Sequence, residues 1–428
     1  MSNTEKKLPA YGPPPKKMCM IPWLGFSNSP AGEAQPCCIY KGNITDESGN
    51  NMTVQNYSVK EIFQSTFMKN LREDFRNNKM PEGCRTCWED ESNGFLSKRK
   101  IYNEQVRPAL TNNVRWWEEP DLPVEYQMII NNSCNLKCRS CSPSHSTLWQ
   151  AENKKLHGDT KFPMPDGQAG IETGKLWLER HEWYSSLKRL EVVGGEPMYI
   201  KQWHKIWQEL IDLGLSKEII LDMSSNCTLI YPELITNLAL NFKRVGIGLS
   251  VDGIGATYEY LRFPGNWETV YSNMRQYRDL AISINEKSDK PTFLGFQISY
   301  TLGWMNALDL PRMHKLLKDE FPDMKIWNNL IHYPDSMSLK SAPEDLKIFI
   351  AAEWDKYDWG PEHTDIVEGI KSFMFSSVAN ESQFQIYVND MVKLDKHRNQ
   401  NFLEVVPEYE PFLKKYVKDN SIIPTRNI

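Results

Sequence analysis

The chain contains no long hydrophobic run, no basic block and no apolar segment near its start. A helix that crosses a membrane needs about 20 mainly apolar residues, so we expect no membrane insertion. The polar residues 1–7 lead into a proline-rich stretch, which is unlike a signal peptide. The formal charge of −5, from 50 basic and 55 acidic residues, weighs against a large nucleic-acid substrate. These absences predict a cytoplasmic protein.

The cysteines are few and are not arranged as a disulfide framework. There are nine in 428 residues, and seven of them fit spacings that are typical of metal clusters. Such a pattern favours a reducing compartment over an oxidising one. The length allows two or three domains, and no internal repeat is visible.

Three cysteines stand close together at Cys134, Cys138 and Cys141. They follow the apolar run 124–130, which predicts a buried strand. Three thiolates can hold three irons of a four-iron, four-sulfur cluster and leave the fourth iron open to an outside ligand. The alternatives are a zinc site or three buried thiols, although structural zinc sites usually use paired C-x2-C units.

Five more strands are predicted after this loop, and helical patterns separate several of them. They lie at residues 190–193, 218–226, 245–253, 293–301 and 325–331. Strands that alternate with helices indicate parallel βαβ units, and the polar motifs fall at the carboxyl ends of the strands. The stretch 157–170 predicts a loop between the first helix and the second strand.

The amino-terminal arm carries a second set of cysteines. Cys19, Gly32 and Cys37 form a C-x12-G-x4-C run, and Cys84 and Cys87 form a distant C-x2-C pair. These four thiolates are enough to close a second iron–sulfur cluster with no open iron. Zinc remains the competing metal, because C-x2-C with two further cysteines is also a structural zinc pattern.

The C-x3-C-x2-C loop resembles the signature of the radical S-adenosylmethionine (SAM) superfamily. That resemblance implies that SAM binds the open iron and is cleaved reductively to a 5′-deoxyadenosyl radical, which takes hydrogen from a substrate. It also implies cofactor contacts at Gly194, Gly195, Glu196, Pro197, Ser225, Asn226, Ser250, Asp252 and Arg262. One position departs from the family, since Ser140 stands where an aromatic residue commonly lies near the adenine.

Two of these motifs have plainer interpretations when taken alone. Gly-Gly-Glu-Pro at residues 194–197 is also an ordinary turn between a strand and a helix. Glu259 and Arg262 also have the spacing of a surface ion pair on a helix. The Ser-Val-Asp-Gly strand end at residues 250–253, followed by Arg262, resembles the peptide-modifying branch of the family. That resemblance implies that Arg262 pairs with the SAM carboxylate, which a guanidinium can bind through two parallel hydrogen bonds.

The amino-terminal arm resembles the twitch or SPASM auxiliary-cluster module, which follows the barrel in most relatives and precedes it here. The spacing in that family favours Cys37 over Cys38 as the ligand and leaves Cys38 and Cys227 as plain thiols. The resemblance and the strand pattern together predict an α/β protein. Its expected parts are an auxiliary module at 1–118, a partial (β/α)6 barrel at 119–335 and a helical region at 336–428.

The expected activity is radical modification of a substrate, most simply a peptide or protein side chain. A nucleotide, a sugar or another small metabolite is the enzymatic alternative, and a non-catalytic iron–sulfur electron carrier is the alternative from another class. Expected partners are the substrate and an electron donor such as a reductase, a flavodoxin or a ferredoxin. The sequence nominates no catalytic acid or base, and the segment Leu394–Arg398 resembles twitch proteins without an assigned role.

Overall fold

The computed structural model describes residues 13–92, 94–110, 114–158, 174–287, 295–322, 324–332 and 334–417. The chain divides into two compact units. The first unit contains residues 1–130 and 169–191, and the second contains residues 131–168 and 192–428. Most of the stretch predicted to be the inserted loop at 157–170 lies outside the described residues.

The elements follow one another as strands separated by helices. The strands are β1 Gly25–Asn28, β2 Ala34–Gln35, β3 Glu125–Met128, β4 Arg189–Val192, β5 Ile220–Ser225, β6 Arg244–Ser250, β7 Gly295–Leu302 and β8 Lys325–Leu330. The helices are α1 Ile21–Leu24, α2 Val59–Phe63, α3 Thr66–Arg76, α4 Arg85–Ser92, α5 Lys98–Ile101, α6 Arg107–Leu110, α7 Thr147–His157, α8 Lys175–Leu178, α9 Arg180–Tyr184, α10 Lys201–Asp212, α11 Pro232–Asn241, α12 Ala256–Leu261, α13 Trp267–Glu286, α14 Asp309–Glu320, α15 Glu344–Asp355, α16 Pro361–Met374, α17 Glu381–Arg398, α18 Phe402–Val405 and α19 Glu410–Leu413.

The first unit is built on the strand order β2–β1–β3–β4. β1 pairs antiparallel with β2 and parallel with β3, with Ser27 opposite Gln127. The ring of Tyr126 on β3 packs 5.6 Å from the ring of Trp183, which forms part of the core. The guanidinium of Arg72 is fully buried and donates to the backbone carbonyl of Pro22 at 2.9 Å, so it ties α3 to the start of α1.

The second unit contains the strand order β5–β6–β7–β8, and all three pairings are parallel. Alternate residues of β5, β6 and β7 are buried, among them Met223, Ile247 and Ile298. The intervening residues of these strands face the other way, and several of them are small or polar. Buried strand faces of this kind pack against the helices that connect them. Helices α15 to α17 follow as a carboxy-terminal helical stretch.

The six strands predicted for the barrel segment are all present, with ends shifted by a few residues, so the predicted α/β class is confirmed. Residues 293 and 294 of the fifth predicted strand lie outside the described chain. The sequence does not predict strands β1 and β2, because β2 has only two residues and β1 has glycine, serine and asparagine at three of its four positions. The domain boundaries at 118/119 and 335/336 stay a prediction.

Candidate functional site

The loop that carries Cys134, Cys138 and Cys141 is fixed by backbone contacts within the second unit. The amide of Lys137 donates to the carbonyl of Phe263 at 2.6 Å, and the amide of Arg139 donates to that of Leu261 at 2.7 Å. These two bonds bracket Cys138, which is buried. The middle of the cysteine loop therefore lies beside the segment that follows α12.

Burial governs the chemistry of the three thiols. It raises the pKa of the Cys134 thiol to about 12, and it raises those of Cys138 and Cys141 as well. Cys138 raises the pKa of Cys134 further, and both raise that of Cys141, while the nearby guanidinium of Arg262 partly offsets the rise at Cys138 and Cys141. Thiolates at these positions therefore need a metal cation to form, because metal ligands bind in their deprotonated state.

The glycine turn after β4 packs against the cysteine loop. Gly194 and Gly195 have φ of 81° and 60°, a conformation that favours glycine. A Cβ atom on Gly195 would lie 2.5 Å from the carbonyl oxygen of Ser133, so no larger residue fits without movement. The amide of Glu196 donates to that same carbonyl at 2.9 Å. The turn thus has a local reason for both glycines.

Glu196 is a buried carboxylate that accepts several hydrogen bonds. Its Oε1 atom accepts from the hydroxyl of Ser225 at 2.9 Å and the amide of Met198 at 3.0 Å. Its Oε2 atom accepts from the amide of Asn226 at 2.5 Å. Burial raises the pKa of the Glu196 carboxyl to about 7, although these hydrogen bonds act against the rise. The glycine turn is thereby joined to the end of β5.

Asn226 reaches from the end of β5 to the first cysteine. Its Nδ2 atom lies 3.9 Å from the Sγ atom of Cys134 and donates to Oδ1 of Asn135 at 2.8 Å. The hydroxyl of Ser225 is buried and already engaged with Glu196. Asn226, and not Ser225, therefore borders the cysteine loop with its side chain.

Asp252 and Arg262 form a buried ion pair at the end of β6. Nη2 of Arg262 lies 2.8 Å from Oδ2 of Asp252, and Nη1 lies 3.8 Å from the Sγ atom of Cys138. Oδ1 of Asp252 accepts from the amide of Thr301 at 2.8 Å. The Nε atom of Arg262 is buried and has no hydrogen-bond partner among the described residues. Arg262 is not the exposed partner of a surface pair with Glu259.

Three further predicted positions lie near this pair or the turn. Ser140, which replaces the aromatic residue of the family, lies with its hydroxyl 3.5 Å from Oδ2 of Asp252. Ser250 ends β6 opposite Ser299 in the register and is partly exposed. Pro197 is buried beside Glu196.

These residues fit an iron–sulfur cluster with a bound amino-acid cofactor. Three thiols are the donor set that iron–sulfur clusters use. The backbone of Gly195 approaches the cysteine loop where a side chain would block it. Within the described parts of the chain, the buried Nε of Arg262 is a donor without an acceptor, and a carboxylate would supply one. In the part of the chain that the structure describes, no three His, Cys, Asp or Glu side chains are grouped closely enough to hold a single metal ion.

The second set of cysteines lies in the first unit. Burial raises the pKa of Cys37 to about 12, and it also raises the pKa values of Cys19, Cys84 and Cys87. Each of the four is within electrostatic range of at least one other member of the set. The amide of Lys41 donates to the carbonyl of residue 83 at 2.9 Å, which joins the loop after Cys37 to the turn before Cys84.

Cys37 and Cys38 differ sharply in their surroundings. The thiol of Cys37 is half-buried, and it raises the pKa of Cys19 and of Cys84. Cys38 is exposed, and its Sγ atom accepts from Nζ of Lys98 at 3.0 Å. The charge of Lys98 also lowers the pKa of Cys37, so the two neighbouring thiols differ in exposure and not in this neighbour.

Two residues that support Cys19 have no signal in the sequence. The side chain of Asn103 accepts from the amide of Met20 at 2.9 Å and donates to the carbonyl of Met18 at 2.8 Å. Nη1 of Arg99 donates to the same carbonyl, also at 2.8 Å. More than 80 residues separate these partners. The residue pattern around Cys19 therefore does not reveal that Asn103 and Arg99 support it.

Comparison with known families bears on the amino-terminal module. The model of the SPASM family, described as an iron–sulfur cluster-binding domain, matches residues 19–88. The match contains Cys19, Cys37, Cys84 and Cys87, and it confirms the predicted resemblance to SPASM-type proteins. It favours iron–sulfur over zinc for this module. The predicted class, a radical SAM enzyme with iron–sulfur clusters and SAM, agrees with it.

Comparison with known structures gives weak likenesses. The structure of anSMEcpe with bound AdoMet and the Cp18Cys peptide is 17% identical, with 58% of this chain and 60% of that chain covered and a TM-score of 0.32. TYW1 with a lysine–pyruvate adduct bound is 14% identical, with 55% and 71% covered and a TM-score of 0.26. The chain thus spans less than two thirds of anSMEcpe, and likenesses this low establish neither fold nor function. No curated protein matches the chain.

The described residues also bear on the expectation about membranes. Among them, no helix combines the length and the apolar character that a membrane crossing requires.

Proposed function

We propose that the protein is a radical SAM enzyme that modifies a peptide or protein side chain. The observation that carries this proposal is the meeting of four motifs in the second unit. The cysteine loop lies against the glycine turn, Asn226 borders Cys134, and Arg262 borders Cys138. An electron carrier has no use for a carboxylate-binding arginine and a glycine turn at its cluster.

The residues divide the binding of the two cofactors between them. In this proposal, the thiolates of Cys134, Cys138 and Cys141 hold three irons of a four-iron cluster. When bound, that cluster supplies one electron, received from an outside donor, that cleaves SAM to methionine and a 5′-deoxyadenosyl radical able to take a hydrogen atom from the substrate. Arg262 offers its free Nε to the SAM carboxylate, while Asp252 holds the guanidinium in place.

The remaining contacts follow the path of the SAM molecule. Gly194 and Gly195 would present the backbone of the turn to its amino group, since Gly195 packs too closely on Ser133 to carry a side chain, and the amide of Glu196 fixes that backbone. Pro197 follows in the same turn. Asn226 and Ser250 stand at neighbouring strand ends, where they would meet the ribose. Ser225 supports Glu196 rather than reaching the ligand itself.

The substrate class rests on two features. The Ser-Val-Asp-Gly strand end with Arg262 resembles the peptide-modifying branch. In addition, one face of β5 to β8 is partly exposed and largely small or polar, including Ser224, Gly248, Gln297 and Ser299, with the exposed ring of Trp327 beside them. Neighbours in the register share this face, with Gly248 opposite both Ser224 and Gln297. Such a surface offers hydrogen bonds and close approach to an extended backbone.

Cys19, Cys37, Cys84 and Cys87 would hold a second, fully ligated cluster in the first unit. Such a cluster would accept an electron from the product radical or anchor the substrate. A reductase, a flavodoxin or a ferredoxin would supply the electron for cleavage. These partners are part of the proposal, as is a place in the cytoplasm.

Anaerobic reconstitution with iron and sulfide, followed by dithionite and SAM, tests this function. We expect 5′-deoxyadenosine from the wild type and none from Cys138→Ala. Cys227→Ala removes a buried thiol that is outside both sets and serves as the control. Equal yields from the wild type and Cys138→Ala would refute the proposal, and no product from a wild type that holds its cluster would leave an iron–sulfur carrier. A mass shift on a co-expressed peptide, set against one on a nucleoside, separates the two substrate classes.

A further inference from the structure

The carboxyl end of helix α17 lies against the cysteine loop of the second unit. It carries Asp395 and Arg398, which belong to the segment Leu394–Arg398 for which the sequence alone gives no role. Both side chains are buried although both carry charge. Charged groups are rarely buried unless they are paired, so their partners indicate what they do.

Asp395 fixes the residue that follows Cys138. Its Oδ1 atom accepts from Nη2 of Arg139 at 2.5 Å and from the hydroxyl of Tyr260 at 2.9 Å. Its Oδ2 atom accepts from the amide of Phe402 at 3.0 Å. The guanidinium of Arg139 also lies 3.8 Å from the centre of the Tyr260 ring. The position of Arg139 is therefore determined from the carboxy-terminal helix.

Arg398 fixes the residue that precedes Cys138 through an intermediate carboxylate. Glu152 on α7 accepts from Nζ of Lys137 at 2.7 Å through Oε1. It accepts from Nη2 and Nε of Arg398 at 2.6 and 3.1 Å through Oε2. Lys137 and Arg139 flank the second cysteine, and each is bound to a carboxylate that the end of α17 contacts or supplies.

One hydrogen-bond donor of Arg398 is left over. The Nη1 atom is buried and has no partner among the residues that the structure describes. The side chain of Arg398 is 0% exposed, with the rings of Trp149 and Phe263 4.9 and 5.1 Å from the guanidinium. Burial raises the pKa of the Cys138 thiol, and the charges of Arg262 and Arg398 partly offset this rise. Arg398 is thus a buried cation near the cluster ligand.

We propose that Arg398 is a positioning residue for the SAM-binding cluster. Its Nη1, which has no acceptor among the described residues, would donate a hydrogen bond to a sulfide of the cluster, and its charge favours the reduced state. The inference rests on the proposed function, since it needs a cluster at Cys134, Cys138 and Cys141. Asp395 has a separate task, which is to keep Arg139 and hence the loop in place.

The physical reason is the change in charge on reduction. One electron from an outside reductant, dithionite in the experiment below, adds one negative charge to the cluster, while the guanidinium stays protonated. Hydrogen bonds to the sulfurs and the surrounding charge are among the factors that set the potential of an iron–sulfur cluster. Residues behind the metal ligands tune the site in the same way. Loss of Arg398 should therefore make the cluster harder to reduce.

The test is a redox titration of the full-length reconstituted protein, followed by electron paramagnetic resonance. The relevant signal is the one that Cys138→Ala lacks. We expect Arg398→Gln to retain its iron and to need a more negative potential. A tenfold loss in the equilibrium for reduction corresponds to about 59 mV for one electron. Arg398→Lys keeps the charge and should fall between Arg398→Gln and the wild type. Lys393→Gln removes a charge from an exposed position on the same helix and should leave the potential unchanged.

Each outcome decides the question. An Arg398→Gln cluster with the wild-type potential would overturn the inference, as would an equal shift in Lys393→Gln. If Arg398→Gln binds no iron at this site, the potential of Arg398→Lys is the deciding measurement, because lysine keeps the charge but lacks Nη1. A wild-type potential in Arg398→Lys would overturn the proposed hydrogen bond. The proposed function fails separately. If adding SAM does not change the resonance signal of the wild-type cluster, the proposed function is contradicted. The inference about Arg398 is unaffected by that result, because the potentials are measured without SAM.

Discussion

Nη2 of Arg262 lies 2.8 Å from Oδ2 of Asp252, while its Nη1 lies 3.8 Å from the Sγ atom of Cys138. Arg262 therefore spans the distance between a strand end and the cysteine loop, and its Nε remains free among the described residues. A guanidinium held in this way is set to receive a carboxylate without further ordering of its side chain.

We expect Arg262→Gln to weaken SAM binding while the cluster is retained. A hydrogen bond to a charged group is worth about 1.5–3 kcal/mol, which is roughly tenfold to hundredfold in the dissociation constant. Equilibrium dialysis of the reconstituted protein with labelled SAM measures this loss. Arg244→Gln, on the exposed amino end of the same strand β6, is the matched control. Unchanged binding in Arg262→Gln would show that the carboxylate lies elsewhere.

Gly195→Ala should disturb the junction between the glycine turn and the cysteine loop. The new Cβ atom would lie 2.5 Å from the carbonyl of Ser133, and φ is 60°. Gly214→Ala is an unusually close control, because its φ is 70° but nothing lies within 4 Å of the added Cβ. Both variants pay the backbone cost of about 1 kcal/mol, and Gly195→Ala should lose about 1–3 kcal/mol more. Urea denaturation of the metal-free proteins gives the two free energies of unfolding, and equal values would contradict the contact.

The motifs that are local in sequence could be predicted, and those that depend on distant contacts could not. The cysteine loop and the glycine turn each lie within a few residues, and their chemistry shows in the residue types. The partner of Arg139 is Asp395, 256 residues away. Nothing in the neighbourhood of Arg139 marks it as buried, because an arginine in a loop is usually exposed. The segment around Asp395 was noticed in the sequence, but only the fold shows what it touches.

The strands of the fold could likewise be predicted only where their own residues show a pattern. The six barrel strands show continuous or alternating apolar patterns, whereas β1 has four residues and all of them are buried. β1 is Gly-Phe-Ser-Asn, so only one of its four residues is a large apolar one and its sequence shows neither pattern. Its existence depends on the parallel pairing with β3, in which Phe26 lies opposite Tyr126.

Iron analysis should distinguish Cys37 from Cys38. We expect Cys37→Ala to lose the auxiliary cluster, a fall of about four irons for each chain. Cys38→Ala should keep the wild-type iron content, because that thiol is exposed and contacts Lys98. Iron and sulfide are measured after anaerobic reconstitution, and zinc is measured in the same samples. If Cys38→Ala loses the cluster and Cys37→Ala keeps it, the assignment is reversed. If zinc falls in place of iron in Cys84→Ala, the module is a zinc site.

The stability of the metal-free protein should depend on pH through Glu196. Burial raises the pKa of this carboxyl from 4.5 to about 7 in the folded protein. Between these values the native state keeps a proton that the unfolded chain has lost, so the free energy of unfolding decreases as pH rises. The contribution is present below pH 4.5 and is lost as pH passes through 7. Its size is of the order of 1–3 kcal/mol.

Glu196→Gln isolates this effect because it cannot titrate. Denaturant unfolding of the variant at several pH values from 4.5 to 7.5 should therefore show a flatter profile than that of the wild type. Glu233→Gln, at an exposed position at the start of α11, should follow the wild-type profile and serves as the control. A Glu196→Gln profile parallel to the wild type would mean that Glu196 stays ionised when buried. Its hydrogen bonds from Ser225 and from the amides of Met198 and Asn226 would then be strong enough to outweigh the loss of solvation.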